Sequence, residues 1–219
     1  MKRIVVLGAG ESGVGTAILA KQKRYEVFVS DKGTIAQKYK EVLINNKIAF
    51  EENQHTEAKI LNADLVMKSP GIPERVPLIQ KLIEKNISVI SEIEFASQFA
   101  KGVLVGITGS NGKTTTTLLT HHVLRQAQIN VGAAGNIGDS FAAQVAEQKF
   151  DLYVLELSSF QLDGIKSFAP HIAIVTNITP DHLDRYNDDF NAYVASKFRI
   201  TENQTEDDYL IYDADDEAS

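Results

Sequence analysis

Apolar runs of strand length alternate with amphipathic stretches of helix length along nearly the whole chain. Residues 3–8 read as a buried strand, 12–23 as a helix, and Glu26–Ser30 as a second strand. The pattern continues with a helix over Lys38–Asn46, a strand over Ala63–Lys68, a helix over Leu78–Lys85 and a strand over Ile87–Ile90. This β-α-β alternation predicts a parallel sheet covered on both faces by helices. A fresh start follows at Gly102–Thr108, a strand leading into a glycine-rich turn and a helix that opens at Lys113. Later strands are expected at Asp151–Leu157, His171–Asn177 and Tyr209–Tyr212, with a helix near Asn191–Asn203. The expected fold class is α/β: a Rossmann-like domain over 1–92, then a P-loop ATPase-type α/β domain over 93–219. The boundary is placed in the helical stretch Glu92–Lys101. After YLIYD the chain runs into ADDEAS with no closing element, so the second domain is expected to be incomplete.

Composition narrows the chemistry. With 219 residues, the chain can bury roughly 70% of its unfolded surface without staples. It has no cysteine, which removes disulfides, thiolate metal sites and thiol nucleophiles. The net charge of −7, with Lys and Arg scattered, offers no basic stripe for nucleic acid. No apolar run approaches the roughly 20 residues of a membrane span. The short apolar run of MKRIVVLGAG breaks at glycines, where a strand turns into a helix, so it is read as a first strand and the protein as cytoplasmic.

Two glycine-rich turns carry the candidate chemistry. Gly8-Ala9-Gly10-Glu11-Ser12-Gly13 fits G-x-G-x-x-G between strand and helix, with Asp31 after the next strand. Glycines there let backbone approach a ligand, and the helix start offers free N–H groups to an anion. By itself this motif spells a dinucleotide site, with Asp31 on a ribose, or a tight turn without phosphate. Lys68-Ser69-Pro70-Gly71-Ile72-Pro73 marks a second sharp turn at a strand end, either at a ligand crevice or as an ordinary turn.

The stronger signal is Thr108-Gly109-Ser110-Asn111-Gly112-Lys113-Thr114-Thr115, again between strand and helix. Its amides can form an anion nest, Lys113 can reach phosphates, and the Thr114 hydroxyl can hold Mg²⁺. It departs from G-x-x-x-x-G-K-[ST], because Ile107 stands where the first glycine belongs. Glu156 closes the strand LYVLE, where a carboxylate could serve as a magnesium ligand or simply end a strand in solvent. Asn136 sits in a GNIG turn, His182 among acids in TPDHLD, and Lys197 on a helix. Each of these three also has an ordinary structural reading, and His121 and His122 are read as structural.

Taken together, TGSNGKTTT, GNIG, LELSSFQL, TPDHLDRY and SKFRI in that order, with GAGESG and KSPGIP upstream, resemble the Mur ligase family. LELSSFQL with a GxGxxG-bearing first domain points to its MurD branch. The resemblance implies ATP-dependent joining of D-glutamate to UDP-N-acetylmuramoyl-L-alanine through an acyl phosphate, in peptidoglycan precursor synthesis. It also implies ATP with two Mg²⁺ sites, a monomer, and a C-terminal amino-acid-binding domain that is missing here. The D-glutamate site would then lie outside this chain, and the chain alone would be inactive. Residue by residue, it implies catalytic roles for Lys113, Glu156, His182 and Lys197. ATP would lie on Gly109, Ser110, Asn111, Gly112, Lys113, Thr114 and Thr115, and metal on Thr114, Glu156, His182 and a carbamylated Lys197. Gly10, Glu11, Ser12, Asp31, Lys32, Ser69, Pro70, Gly71, Asn136 and His182 would meet the UDP substrate. An NAD-dependent oxidoreductase and a non-catalytic nucleotide-binding module remain as alternatives.

Overall fold

The computed structural model describes residues 1–216 and 218. The chain divides into two compact units, residues 1–99 with 140–147, and residues 100–139 with those from 148 onward. The division after residue 99 falls within the stretch Glu92–Lys101, and the helix Glu92–Ser97 stays with the first unit.

In the first unit the elements run β1 (Arg3–Leu7), α1 (Glu11–Gln22), β2 (Glu26–Ser30), α2 (Gln37–Asn45), β3 (Ala49–Glu51), α3 (Glu57–Ile60), β4 (Leu65–Lys68), α4 (Pro77–Glu84), β5 (Ser88–Ile90) and α5 (Glu92–Ser97). All strand pairs are parallel, in the order β3-β2-β1-β4-β5. Val5, Leu7, Phe28, Val66, Ile79 and Leu82 form a core on one face. Pro77 opens α4, where its missing N–H costs nothing. Ser91 caps α5 by accepting from the Glu94 N–H. The three-residue β3 escapes a periodicity reading, because AFE is too short to show alternation.

The second unit contains β6 (Val103–Thr108), α6 (Lys113–Gln126) and β7 (Val131–Gly135). The helix that follows in the chain, α7 (Phe141–Glu147), belongs to the first unit. The second unit resumes with β8 (Leu152–Glu156), α8 (Ser159–Leu162), β9 (Ile172–Val175), α9 (Phe190–Phe198) and β10 (Tyr209–Tyr212). Its parallel sheet has the order β10-β9-β6-β8-β7. VGAAG gives little strand signal by propensity, so β7 was not expected. The helix expected to reach Asn203 ends instead at Phe198 and tightens into a 3-10 turn at Arg199–Thr201. There the Arg199 guanidinium donates to the carbonyls of Asp163 (2.6 Å) and Ile165 (2.8 Å). Four residues of the edge strand β10, and Leu118, Leu119 and Val123 of α6, expose apolar surface.

Both glycine-rich turns follow the central strand of their sheet, β1 in one unit and β6 in the other. The strand order reverses at those strands, later strands being added on the opposite side, and carboxyl ends at such a switch point form the crevices where open α/β sheets bind ligands.

Candidate functional site

In the first unit, three loops meet at the carboxyl ends of β1, β2 and β4. Gly8 takes φ +94°, and a Cβ there would overlap Ser69 Oγ, so the turn after β4 rests directly on the turn after β1. Ser69 N–H donates to Leu7 O at 3.0 Å, and Lys68 Nζ closes the SPGI turn on Ile72 O at 2.8 Å. Asp31 ties the first turn to the second loop: Oδ2 accepts from Ala9 N–H and Oδ1 from Gly33 N–H, both at 2.7 Å. Gly13 is needed by the fold, since a Cβ would overlap Gly8 O. Gly10 is different: its φ is −83° and a Cβ would meet nothing within 4 Å. Gly10, Glu11, Lys32 and Gly71 are exposed, while Ser12, Ser69 and Pro70 are half-buried. Glu11 accepts from the Tyr39 hydroxyl at 2.7 Å.

In the second unit, the loop after β6 is held from one side by the segment after β9. Ser110 N–H donates to Asn177 O (2.8 Å) and Ser110 Oγ to Thr179 O (2.8 Å). Asn111 N–H donates to Asn177 Oδ1 (3.1 Å), and Thr176 Oγ1 donates back to Asn111 O (2.6 Å). A Cβ on Gly109, whose φ is +143°, would overlap Thr176 Oγ1. Thr176, Asn177 and Thr179 are the clamp that sequence reasoning did not single out. Their signal was a polar run directly after an apolar strand.

Two lysines converge on this loop. Lys113 Nζ donates to Gly109 O (2.9 Å) and Ser110 O (2.8 Å), and Lys197 Nζ donates to the same Gly109 O (2.7 Å). Lys197 is 2% exposed and lies over the Tyr193 ring. Burial, reinforced by the Lys113 charge, pushes its ammonium down to about 8, with Asp181 and Asp163 pulling the other way. Its helix is fixed by Asp189, which caps the start, and by Ser196, whose hydroxyl donates to Asp163 Oδ1 at 2.5 Å.

Glu156 pairs in register with Ile107, one residue before the loop strand ends. It is 2% exposed, so it is no solvated strand terminus. Oε1 accepts from Asn136 Nδ2 at 2.7 Å, whereas Oε2 is buried without a hydrogen-bond partner. A buried carboxylate oxygen left unsatisfied is costly, and a divalent cation beside it would remove that cost. The donor set suits Mg²⁺, which is usually held by one or two carboxylates together with substrate phosphates and water. Among the described residues no group of three His, Asp or Glu side chains gathers. Thr114 and Thr115 are exposed at the start of α6. His182 has a left-handed backbone (φ +51°), is exposed, and contacts Asp181 and the Phe160 ring. No hydrogen bond or ion pair joins it to Lys197 or Glu156 among the described residues. Asn136 and His182, expected near the UDP substrate, both belong to the second unit.

Comparison with known proteins decides the family. The Mur ligase middle domain model matches residues 107–219, more than half of the chain. The chain belongs to the Mur ligase family.

The MurD N-terminal domain model of the same family matches residues 3–76. A UDP-N-acetylmuramoylalanine--D-glutamate ligase of Christiangramia forsetii is 65% identical over 98% of this chain, but over only 48% of its own length. The like-named ligase of Bacteroides thetaiotaomicron is 58% identical over 99% of this chain and 49% of its own. The chain thus spans about half the length of these relatives. The UDP-N-acetylmuramate:L-alanyl-gamma-D-glutamyl-meso-diaminopimelate ligase of Neisseria meningitides aligns over all of this chain and 73% of its own, with a TM-score of 0.67 at 18% identity. The UDP-N-acetylmuramate-alanine ligase MurC of Thermotoga maritima aligns with a TM-score of 0.61 at 21% identity, over all of this chain and 50% of that one. At such identities the likeness carries the α/β fold with its parallel sheets and nothing finer. Among the described residues no helix is long and apolar enough to cross a membrane.

Proposed function

We propose that this chain is the UDP-substrate-binding and phosphate-binding part of an ATP-dependent ligase that joins D-glutamate to UDP-N-acetylmuramoyl-L-alanine. The buried, half-satisfied Glu156 carboxylate beside a glycine loop that gathers two lysines carries this reading. Such a loop is suited to transferring phosphates, whose charge must be neutralised as it spreads over the γ-oxygens.

In the proposed reaction the substrate carboxylate attacks the γ-phosphate of ATP, forming an acyl phosphate and releasing ADP. The D-glutamate amine then attacks the acyl carbon through a tetrahedral intermediate and expels phosphate. Lys113 and the amides of Gly109, Ser110, Asn111 and Gly112 would stabilise charge on the phosphoryl group. Thr114 and Glu156 would hold one Mg²⁺, and His182 with a carbamylated Lys197 a second. When bound, the metal ions would supply Lewis-acid stabilisation of phosphoryl oxygens. Carbamylation requires a neutral amine, and burial of Lys197 beside Lys113 favours that form. Its product would exchange a cation for an anionic oxygen ligand.

The first unit would take the uridine end: Glu11, Ser12, Asp31 and Lys32 around uracil and ribose, Gly10 in close backbone contact, and Ser69, Pro70 and Gly71 toward the phosphates. Asn136 and His182 would meet the diphosphate-sugar portion. Adenine and D-glutamate contacts are assigned to the half of the relatives' length that this chain does not span, so the chain alone would bind without turnover. A cytoplasmic monomer acting in cell-wall biogenesis, and hence in cell shape and division, completes the proposal. NAD⁺ would use the first turn and leave the second idle.

Calorimetric titration of the 219-residue chain with UDP-N-acetylmuramoyl-L-alanine, beside NAD⁺, tests this reading. Saturable binding of the uridine compound, weakened by Asp31→Ala, is expected. Binding of NAD⁺ alone would remove the ligase reading from the first unit.

A further inference from the structure

A polar network in the first unit lies beside the first glycine turn and was not anticipated. Ser30, at the end of β2, is fully buried, and its carbonyl accepts from Gly8 N–H at 2.9 Å. Its hydroxyl lies 2.8 Å from Glu51 Oε1 and 2.7 Å from His55 Nδ1. Glu51 also accepts from Thr56 N–H and Thr56 Oγ1, each at 2.7 Å. Burial raises the Glu51 carboxyl, but the Thr56 and Ser30 hydrogen bonds outweigh it and hold the group below its ordinary value.

An ionised Glu51 can only accept, and at 2.8 Å it takes the single Ser30 proton in preference to Gln54 O at 3.4 Å. Toward His55, Ser30 Oγ must then act as acceptor, and Nδ1 must carry the ring proton. The tautomer follows from the network. It also disqualifies Ser30 as a nucleophile, because its proton is given to a carboxylate and not drawn off by the imidazole. Burial lowers the His55 pKa, Lys32 pushes the same way, and Asp31 and Glu51 act against them. A neutral ring with Nδ1–H has a bare lone pair on Nε2.

We propose that His55 reads the base of the nucleotide at the first turn, offering Nε2 as the acceptor for an imide N–H. This rests on the uridine reading above. Phosphates are assigned there to the β4 side, at Ser69–Gly71, so the base end falls on the β2 and β3 side, where His55 follows Asp31 and Lys32. His55 is half-buried, with Nδ1 turned to Ser30 Oγ. Uracil presents N3–H to such an acceptor. Cytosine presents a lone pair at N3 and is repelled. A site built to hydrogen-bond one partner rejects its mismatched analogue far more strongly than shape alone does.

The test is titration of the 219-residue chain with UDP and with CDP, beside ¹⁵N NMR of the histidine ring. The proton is expected on Nδ1, and UDP is expected to bind at least about tenfold more tightly than CDP, equal to roughly 1.4 kcal/mol. His55→Ala should bring the two ligands within about twofold, since the discriminating hydrogen bond is gone. Ser30→Ala, which removes the lock without touching the ligand, should populate Nε2–H and shrink the preference. Acidification that protonates His55 should also erase it, with Asp31, Lys32 and Glu51 setting where. A proton found on Nε2 in the unsubstituted chain overturns the proposal without any variant. So does an unchanged UDP/CDP ratio in His55→Ala. UDP that fails to bind the unsubstituted chain overturns the uridine reading itself, and this inference with it.

Discussion

Asn136 Nδ2 donates to one oxygen of Glu156 at 2.7 Å, and the other oxygen of that carboxylate is buried with no partner. The amide orients the acid, and the bare oxygen lies at the end of the strand beside the phosphate-type loop. Glu156→Gln should therefore keep the fold and lose Mg²⁺-dependent nucleotide binding by tenfold or more, about 1.4 kcal/mol. Titration with ATP in the presence and absence of Mg²⁺ measures this. An unchanged Mg²⁺ dependence would mean the ion is held elsewhere.

Gly10 and Gly15 separate ligand requirements from folding requirements. Gly10 has ordinary φ and open space, so Gly10→Ala should leave the melting temperature unchanged while weakening UDP binding. Gly15 lies inside α1, where alanine would ordinarily gain about 1 kcal/mol. A Cβ there would overlap Ser140 Oγ, at the start of the segment that carries α7. Overpacking of that kind costs about 1–3 kcal/mol, so Gly15→Ala should be destabilising on balance. Thermal melts of both variants decide it, and a stabilised Gly15→Ala would show that the segment yields freely.

Lys197 should carry a pH signature. Its folded value of about 8 lies below the ordinary 10.5, so the unfolded chain binds more protons between those values. The penalty is full below about 8, and stability rises as pH increases toward 10.5. Its upper bound is about 3 kcal/mol. Lys197→Met should flatten this rise in denaturant melts, because Lys113 still serves Gly109 O. A mass gain of one CO₂ at Lys197, lost on acidification, would mark the carbamate.

Glu92 has the opposite sign. Its buried carboxyl accepts from Ser140 Oγ (2.6 Å) and Ala142 N–H (3.0 Å), and burial pushes it up more than these bonds pull it down. The folded state then holds a proton that the unfolded chain releases above the ordinary 4.5. Stability from this group is present below that value and declines as pH rises toward the folded pKa. Glu92→Gln keeps an acceptor for Ser140 and should remove the decline. Melts from pH 4 to 8, by the same linkage and over roughly that window, would show parallel slopes if Glu92 were not the cause.

The alternation of strands and helices, both glycine-rich turns and the residues at the strand ends are legible in the amino-acid sequence alone. Those features are local: period, turn chemistry and the break from apolar to polar are written in consecutive residues. β3 and β7 were illegible because AFE is too short and VGAAG too small-sided to show a period, and neighbouring strands define both. Only the tertiary structure could bring Thr176, Asn177 and Thr179 onto a loop more than sixty residues earlier. The same holds for the burial of Lys197 and the bare oxygen of Glu156, since desolvation and satisfaction depend on what packs around a group. The Ser30–Glu51–His55 chain of hydrogen bonds is likewise a product of strand pairing, which sets the proton on one ring nitrogen where the letter H leaves both open.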